Sequence, residues 1–482
     1  MITLQSLNRN LLRAQYAVRG PIVQRAQELE EQGRKIIYCN IGNPQALKQQ
    51  PISYIRQMLS LLEYPALLRN EALLSSYPRD IVDRAKAFFG KYPIGVGAYS
   101  QSAGIPFVRE AVADFIRRRD GIPATKDAII LTDGASKGVQ SAILTLLRNE
   151  NDGFMIPVPQ YPLYSATIDL YGAKQISYYL DEDNHWQLNE RILEGSIEQA
   201  KQQGIHPVAL AVINPGNPTG AVLTRENIEM VIRFARRNSL SIMADEVYQE
   251  NVYHTGSKFF SFAKVMHDMG ETEVTLFSFH SVSKGFFGEC GHRGGYVEFR
   301  NIPTDVLTEL VKLQSISLCA NLPGQIATYL MVSPPGKGDE SYETYTSERD
   351  AILKSLKRKA ELLGEAINRV EGMSLEIPQG AMYAFVKLDF PPEPNIDIRS
   401  MTKEERCVYE SKRDFDYCLA LLEETGICVV PGSGFGQLPG SFHFRTTFLP
   451  PYEELTDFVR LLKDFHLAYM GRLKSAPQLS HV

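Results

Sequence analysis

Four short segments carry residue types that could do chemistry, and each follows a run that reads as a β-strand. Lys284 stands in SVSKGFFGECGHRGGY (281–296), among small residues just after the apolar run VTLFSF (274–279). A long cation beside a strand end calls for a partner; buried there, its amine sheds a proton and becomes the nucleophile that Schiff-base chemistry needs. Nine residues on, Arg293 offers a planar fork suited to phosphate. TDGASKG (132–138) is a small-residue turn opening a helix. Its free backbone N–H groups and the Ser136 hydroxyl would cup a phosphate, although such a turn is more often only a tight strand-to-helix connection. NPGNPTG (214–220) packs two Asn-Pro pairs and two glycines into one rigid loop, from which Asn217 projects an amide. In ADEVYQE (244–250), Asp245 ends the run LSIMA (240–244) and Tyr248 follows three residues later. An aspartate there can equally cap a helix. Each segment is weak alone; their shared place at successive strand ends gives them weight.

The elements that must hold these residues are legible between about residues 105 and 300. Strands are expected at 128–131, 154–157, 208–213, 240–244, 274–279 and 294–299, several of them continuously apolar, as strands buried on both faces are. Helices are expected between them, among them 136–148 and 224–238. The second has Thr224 as N-cap and Ile228, Val231, Ile232 and Ala235 at helical spacing. Such alternation predicts a mainly parallel α/β sheet, in which ligands gather beyond the carboxyl ends of the strands. The polar stretch 333–348 reads as a domain boundary or exposed loop. After it, Ile352, Leu356, Ala360, Leu363, Ile367 and Val370 mark one face of a long helix. A second polar stretch from Pro391 (PPEPNIDIRSMTKEER) reads as a surface insertion, followed by a compact α+β region and a poorly ordered tail, KSAPQLSHV.

Bulk properties narrow the class. The 482 residues suffice for two or three domains, with 44% apolar and 22% charged residues. A net charge of −5 without a basic block argues against a nucleic-acid binder. No stretch approaches the length of a membrane span, and the amino terminus shows no apolar signal core. The six cysteines lie far apart without a CxxC pair, which suits reduced thiols in the cytoplasm and no metal site. Cys290 lacks an evident partner base for nucleophilic work. No Gly-x-Gly-x-x-Gly follows a strand, which disfavours a nicotinamide dehydrogenase.

Together with IYCNIGNPQ (37–45), GAYSQSAGI (97–105), PQYPLYSA (159–166) and VVPGSGFGQLPGSFHFRTTFLPP (429–451), these segments run in one order over nearly the whole chain. In that order the chain resembles the class I pyridoxal-phosphate-dependent aminotransferases, and within them the alanine aminotransferases. IGNPQ, the GECG-x-RGGY ending and PGSGFGQ carry the narrower likeness.

The resemblance implies an aspartate-aminotransferase type of fold: a large domain (96–333) with a mostly parallel seven-stranded sheet, and a smaller α+β domain from 334–482 with part of the 1–95 arm. It implies that Lys284 holds the cofactor as a Schiff base and later shuttles a proton, while Asp245 pairs with the pyridine nitrogen. Asn217 and Tyr248 would bond the ring's 3′ oxygen, and Tyr161 would stack on the ring. Ser136, Ser281, Arg293 and the backbone of Ala135 would hold the phosphate. Tyr99 would reach the phosphate of a neighbouring subunit, so a homodimer is implied. Arg445 would clamp the substrate carboxylate, with Gly42 alongside. The activity implied is ping-pong transfer between L-alanine and 2-oxoglutarate, with glutamate–glyoxylate transfer the alternative. Further off stand a lyase of the aminocyclopropane-carboxylate synthase kind and a non-catalytic ligand sensor. His292 before Arg293 and the stretch 64–96 depart from the alanine-type pattern, which bears on substrate choice and not on the cofactor.

Overall fold

Alternating apolar strands and amphipathic helices build one sheet with helices on both faces. The computed structural model describes residues 2–16, 18, 20–391 and 400–475. The sheet comprises β1 (Ile129–Thr132), β2 (Asp152–Val158), β3 (Lys174–Tyr179), β4 (His206–Ile213), β5 (Ser241–Asp245), β6 (Leu276–Ser281) and β7 (Gly295–Arg300). Their order is β1-β7-β6-β5-β4-β2-β3, and only β7 runs against its neighbours. Residue alternation assigns each side chain to a face. Leu131, Met155, Leu210, Ile242 and Leu276 pack in one core with helices α1 (Pro106–Asp120), α4 (Arg225–Arg237) and α5 (Leu322–Val332). Their neighbours Ile130, Phe154, Ala209, Met243 and Phe277 pack on the other face with α2 (Ala135–Leu146) and α3 (Leu163–Tyr171). Six of the seven strands follow the apolar runs. The seventh, β3, is KQISYY, an edge strand with half its residues polar, so a search for apolar runs passes over it.

Local chemistry starts α4 and seats α2 against the sheet. The Thr224 hydroxyl accepts the N–H of Asn227 and opens α4. Helix α2 lies so near the sheet that a Cβ on Gly138 would stand 2.7 Å from Val297 Cγ2.

A second sheet, all antiparallel, contains β8 (Met373–Ser374), β9 (Tyr383–Leu388), β10 (Val430–Pro431) and β11 (His443–Thr447) in the order β10-β11-β9-β8. Its core is shared with α6 (Tyr342–Ile367), α7 (Lys403–Thr425) and α8 (Tyr452–Ser475). Helix α6 begins at Tyr342, so the polar stretch 333–348 is loop only in its first half: Tyr345 is buried and pulls the rest into the helix. Of the stretch from Pro391, residues 392–399 lie outside the described residues. Its end does not loop out, because a capping box of Thr402 and Glu405 starts α7. The end of the expected tail, 476–482, also lies outside the described residues. The first 95 residues divide between the cores: Ile22, Leu29 and Ile37 pack in the second, Ile55, Met58 and Ile81 in the first. Among the described residues no helix is long and apolar enough to cross a membrane.

Candidate active site

Sheet register sets the level of the site. Asp245 at the end of β5 pairs with Ile213 of β4 on one side and Phe279 of β6 on the other. The loops that carry Asn217 and Lys284 therefore leave the sheet at the same height. They open on a cavity of about 430 Å³ whose far wall comes from the second sheet. Gly42, Ala135, Ser136, Tyr161, Asn217, Asp245, Tyr248, Ser281, Lys284, Arg293 and Arg445 all line it. Tyr99 does not; it is 73% exposed on the surface of the chain.

Lys284 Nζ donates to the Gly42 carbonyl oxygen at 2.7 Å and stands 5.8 Å from the centre of the Tyr248 ring. Gly42 is needed there because a Cβ would overlap the Tyr383 hydroxyl and crowd the lysine amine. Asp245 is buried, with the Tyr164 hydroxyl donating to Oδ2 at 3.1 Å and the Val247 N–H to Oδ1 at 3.5 Å. Burial pushes its carboxyl up to about 6, against the pull of these donors and of the Lys284 charge. A carboxylate so placed is completed by a cationic or N–H-bearing partner in the cavity.

The start of α2 makes a cup. Gly134, with φ +76°, allows Arg293 to lie against the helix end, where a Cβ would overlap Nη2. Arg293 Nη2 donates to the Asp133 carbonyl at 3.1 Å and to Ser136 Oγ at 3.3 Å; Nη1 donates to the Cys290 carbonyl at 3.0 Å. No carboxylate pairs with this guanidinium among the described residues. Ser281 Oγ accepts the Ser283 N–H at 3.1 Å beside it. Free N–H groups, hydroxyls and an unpaired guanidinium fit a phosphate. Cys290 lies at the rim, its thiol donating to the Ser283 carbonyl, and burial pushes it up, away from nucleophilic use.

Arg445 sits on β11, held between β10 and β9, and is 1% exposed. Nη1 donates to Asn217 Oδ1 at 3.1 Å and Nη2 to the Asn40 carbonyl at 2.5 Å. Its guanidinium carbon lies 4.2 Å from the centre of the Tyr383 ring and 4.5 Å from that of Phe435. Burial works against its charge, and Nε has no acceptor among the described residues. A small carboxylate entering the cavity supplies both the charge and the acceptor.

Three tyrosines not singled out by sequence bear on the site: Tyr16 and Tyr383 line the cavity, and Tyr164 stands behind Asp245. Tyr383 receives a hydrogen bond from the Tyr248 hydroxyl at 3.4 Å, Tyr164 bonds Asp245, and Tyr16 lies 2.6 Å, hydroxyl to hydroxyl, from Tyr161. In sequence Tyr383 and Tyr164 look like core aromatics of a strand and a helix, and Tyr16 lies in an irregular segment. Only the offset of Tyr164, three residues after Tyr161 on one helical face, could have drawn attention to one of them.

The donor set fits pyridoxal phosphate: a lysine amine for its aldehyde, a buried carboxyl for its ring nitrogen, and a cationic cup for its phosphate. A family model described as aminotransferase class I and II matches residues 94–462. The chain is 47% identical to a Dictyostelium discoideum protein named probable alanine aminotransferase, mitochondrial, over 98% of this chain and 90% of that one. It is 45% identical to glutamate–glyoxylate aminotransferase 2 of Arabidopsis thaliana, over 97% of this chain and 96% of the other. It superposes on the solved alanine aminotransferase of Pyrococcus furiosus with a TM-score of 0.76 at 26% identity, covering 96% of this chain and 100% of that one.

Proposed function

The chain belongs to the class I and II aminotransferases, enzymes that work with pyridoxal phosphate, and we propose L-alanine and 2-oxoglutarate as its substrates. When bound, the cofactor supplies an aldehyde that takes up the amino group and a cationic ring that draws electron density from Cα. The residues around it then have distinct tasks. Lys284 holds the cofactor and, once displaced by the incoming amine, takes the Cα proton. Asp245 keeps the ring nitrogen protonated, with Tyr164 and the Val247 N–H fixing its carboxyl. Ser136, Ser281, Arg293 and the backbone at Ala135 hold the phosphate, while Asn217 and Tyr248 face the ring oxygen and Tyr161 its face. Arg445 receives the α-carboxylate in a planar fork.

The choice of substrate rests on one observation: among the described residues the cations lining the cavity are Lys284, Arg293 and Arg445. With the first two engaged by the cofactor and the third by the α-carboxylate, the described residues of the wall leave no further cation for an acidic side chain. That favours a small uncharged donor such as alanine. Each reading pairs one small substrate, alanine or glyoxylate, with one five-carbon dicarboxylate, so this feature does not separate them; glutamate–glyoxylate transfer is the second reading on the support of the Arabidopsis relative. Purified protein assayed with a panel of amino donors against 2-oxoglutarate, pyruvate and glyoxylate separates the two. Alanine consumed faster with 2-oxoglutarate than with glyoxylate supports the first; the reverse order overturns it.

A homodimer is part of this reading. Tyr99 stands exposed and outside the lining of its own cavity, and Ile94, Ile316 and Leu318 are further exposed apolar residues of the chain. Paired chains would let each Tyr99 reach the other's phosphate cup, and light scattering of the holoenzyme should give twice the chain mass. A cytoplasmic location is supported by the free thiols of Cys39, Cys290, Cys319, Cys418 and Cys428. The Dictyostelium relative is named mitochondrial, and imaging of the tagged chain decides for this one.

A further inference from the structure

We propose that Tyr383 is a further catalytic residue, whose hydroxyl holds the amine of Lys284 in place while that amine carries the substrate's Cα proton. The inference rests on the aminotransferase reading above and adds a residue to it.

Tyr383 opens β9, is 3% exposed and pairs in register with Thr447, two residues beyond Arg445 on β11. The strand that carries the carboxylate clamp thus fixes the phenol as well. Its hydroxyl and the Lys284 amine converge over Gly42: a Cβ there would overlap the phenol oxygen and stand 3.1 Å from Nζ. The Tyr248 hydroxyl donates to the same oxygen, and the Arg445 guanidinium covers the ring. The phenol therefore stands between two cations. Burial pushes its pKa up, but the charges of Lys284 and Arg445 outweigh burial and leave it below the ordinary phenol value. For its partner Tyr248, burial and Tyr383 both push upward. Negative character gathers on Tyr383.

A released lysine amine on a four-carbon stem needs anchoring to act as a base on one carbon. The Gly42 carbonyl already accepts one N–H. When Lys284 removes the Cα proton, the bonding pair stays on carbon and the amine becomes an ammonium with three N–H groups. The Gly42 carbonyl and the Tyr383 oxygen accept two of them. The third is then held for return to carbon, with no net change in protons or electrons on the tyrosine.

The test is Tyr383→Phe in the holoenzyme, which keeps the ring under Arg445 and removes one oxygen. We expect kcat to fall about 100-fold with KM little changed, and the isotope effect with Cα-deuterated alanine to rise above that of the parent. A second readout needs no turnover. Negative character beside Lys284 favours the protonated chromophore, so the midpoint of the visible absorption titration should fall by about one unit in the variant. A variant with the parent's isotope effect and midpoint overturns the proposal, as does a rise in KM alone, which would make Tyr383 part of the carboxylate site. A parent enzyme that transfers no amino group from any donor would instead sink the functional reading itself.

Discussion

Asp245 should cost the cofactor-free chain stability, and Asp245→Asn should expose that cost. Burial pushes this carboxyl from its ordinary value of 3.8 to about 6. The unfolded chain ionises near the ordinary value, so holding the folded carboxyl ionised at neutral pH costs about 3 kcal/mol. The sign follows from proton uptake: between about pH 4 and pH 6 the folded chain binds the extra proton. Its stability therefore falls as pH rises through that window. The full cost is present above pH 6 and absent below pH 4. An asparagine never pays it. Its amide oxygen can still accept from the Tyr164 hydroxyl, now 3.1 Å from Oδ2, but its N–H₂ group lacks a good acceptor, which costs about 1 kcal/mol.

The cofactor-free variant should thus be the more stable by about 2 kcal/mol at pH 7, a rise of a few degrees in Tm, and the gain should vanish at about pH 4.5 and turn into a small loss by pH 4. Adding pyridoxal phosphate should reverse the order, because the cationic ring restores the ionised carboxylate only in the parent, and binding to the folded state alone raises Tm. Thermal melts of both proteins, with and without cofactor, at pH 4, 5.5 and 7, measure all of this. A variant less stable than the parent at pH 7 without cofactor, or one that gains as much from cofactor, would refute the assignment of Asp245. Turnover in the variant should drop by about 3–4 kcal/mol of transition-state stabilisation.

Other substitutions address the remaining parts of the site. Lys284→Ala should abolish transfer, and mass spectrometry after borohydride reduction should find the cofactor's mass on the parent chain and not on the variant. Arg445→Lys should weaken an unreactive carboxylate analogue by about 10- to 100-fold while cofactor occupancy is unchanged, since hydrogen bonds to a charged group are worth about 1.5–3 kcal/mol each; titration calorimetry on the holoenzyme checks it. Gly42→Ala should force Tyr383 and Lys284 apart, because the added Cβ overlaps the phenol oxygen. An ångström of displacement typically costs about 100-fold in rate, so steady-state kinetics equal to the parent's would contradict the tight approach described at Gly42.

The physics of burial decides which parts of this architecture can be read from sequence. Strands β4, β5 and β6 are covered on both faces and so are written as largely apolar runs, which places Asn217, Asp245 and Lys284 just beyond them. β3 has an open edge, carries polar residues and leaves no such trace. Tyr345 inside a polar stretch hides the start of α6 for the opposite reason: one buried ring outweighs several charged neighbours that simply face solvent. Gly42 and Arg445 follow no local pattern and entered through resemblance alone. Tyr383 was invisible because a tyrosine in the run MYAFVKL is what any buried strand contains, and its role depends on contacts with residues far away in the chain.

Those distant contacts divide the labour between the two sheets. In the proposed assignment the first sheet and its loops hold the cofactor, through Lys284, Asp245, Asn217 and the cup at the start of α2, all of which line the cavity. The second supplies Arg445 and Tyr383. The direct polar links between the two sets are Arg445 to Asn217 at 3.1 Å and Tyr248 to Tyr383 at 3.4 Å, with the Gly42 loop joined to Lys284 at 2.7 Å. A change in how the second sheet packs therefore moves the carboxylate clamp and the phenol relative to the lysine while the cup stays whole. Substitutions in the second core, such as Phe444→Ala under β11, should accordingly raise KM or lower kcat before they loosen the cofactor. Loss of cofactor as the first effect of such a substitution would mean that the two sheets do not divide the work in this way.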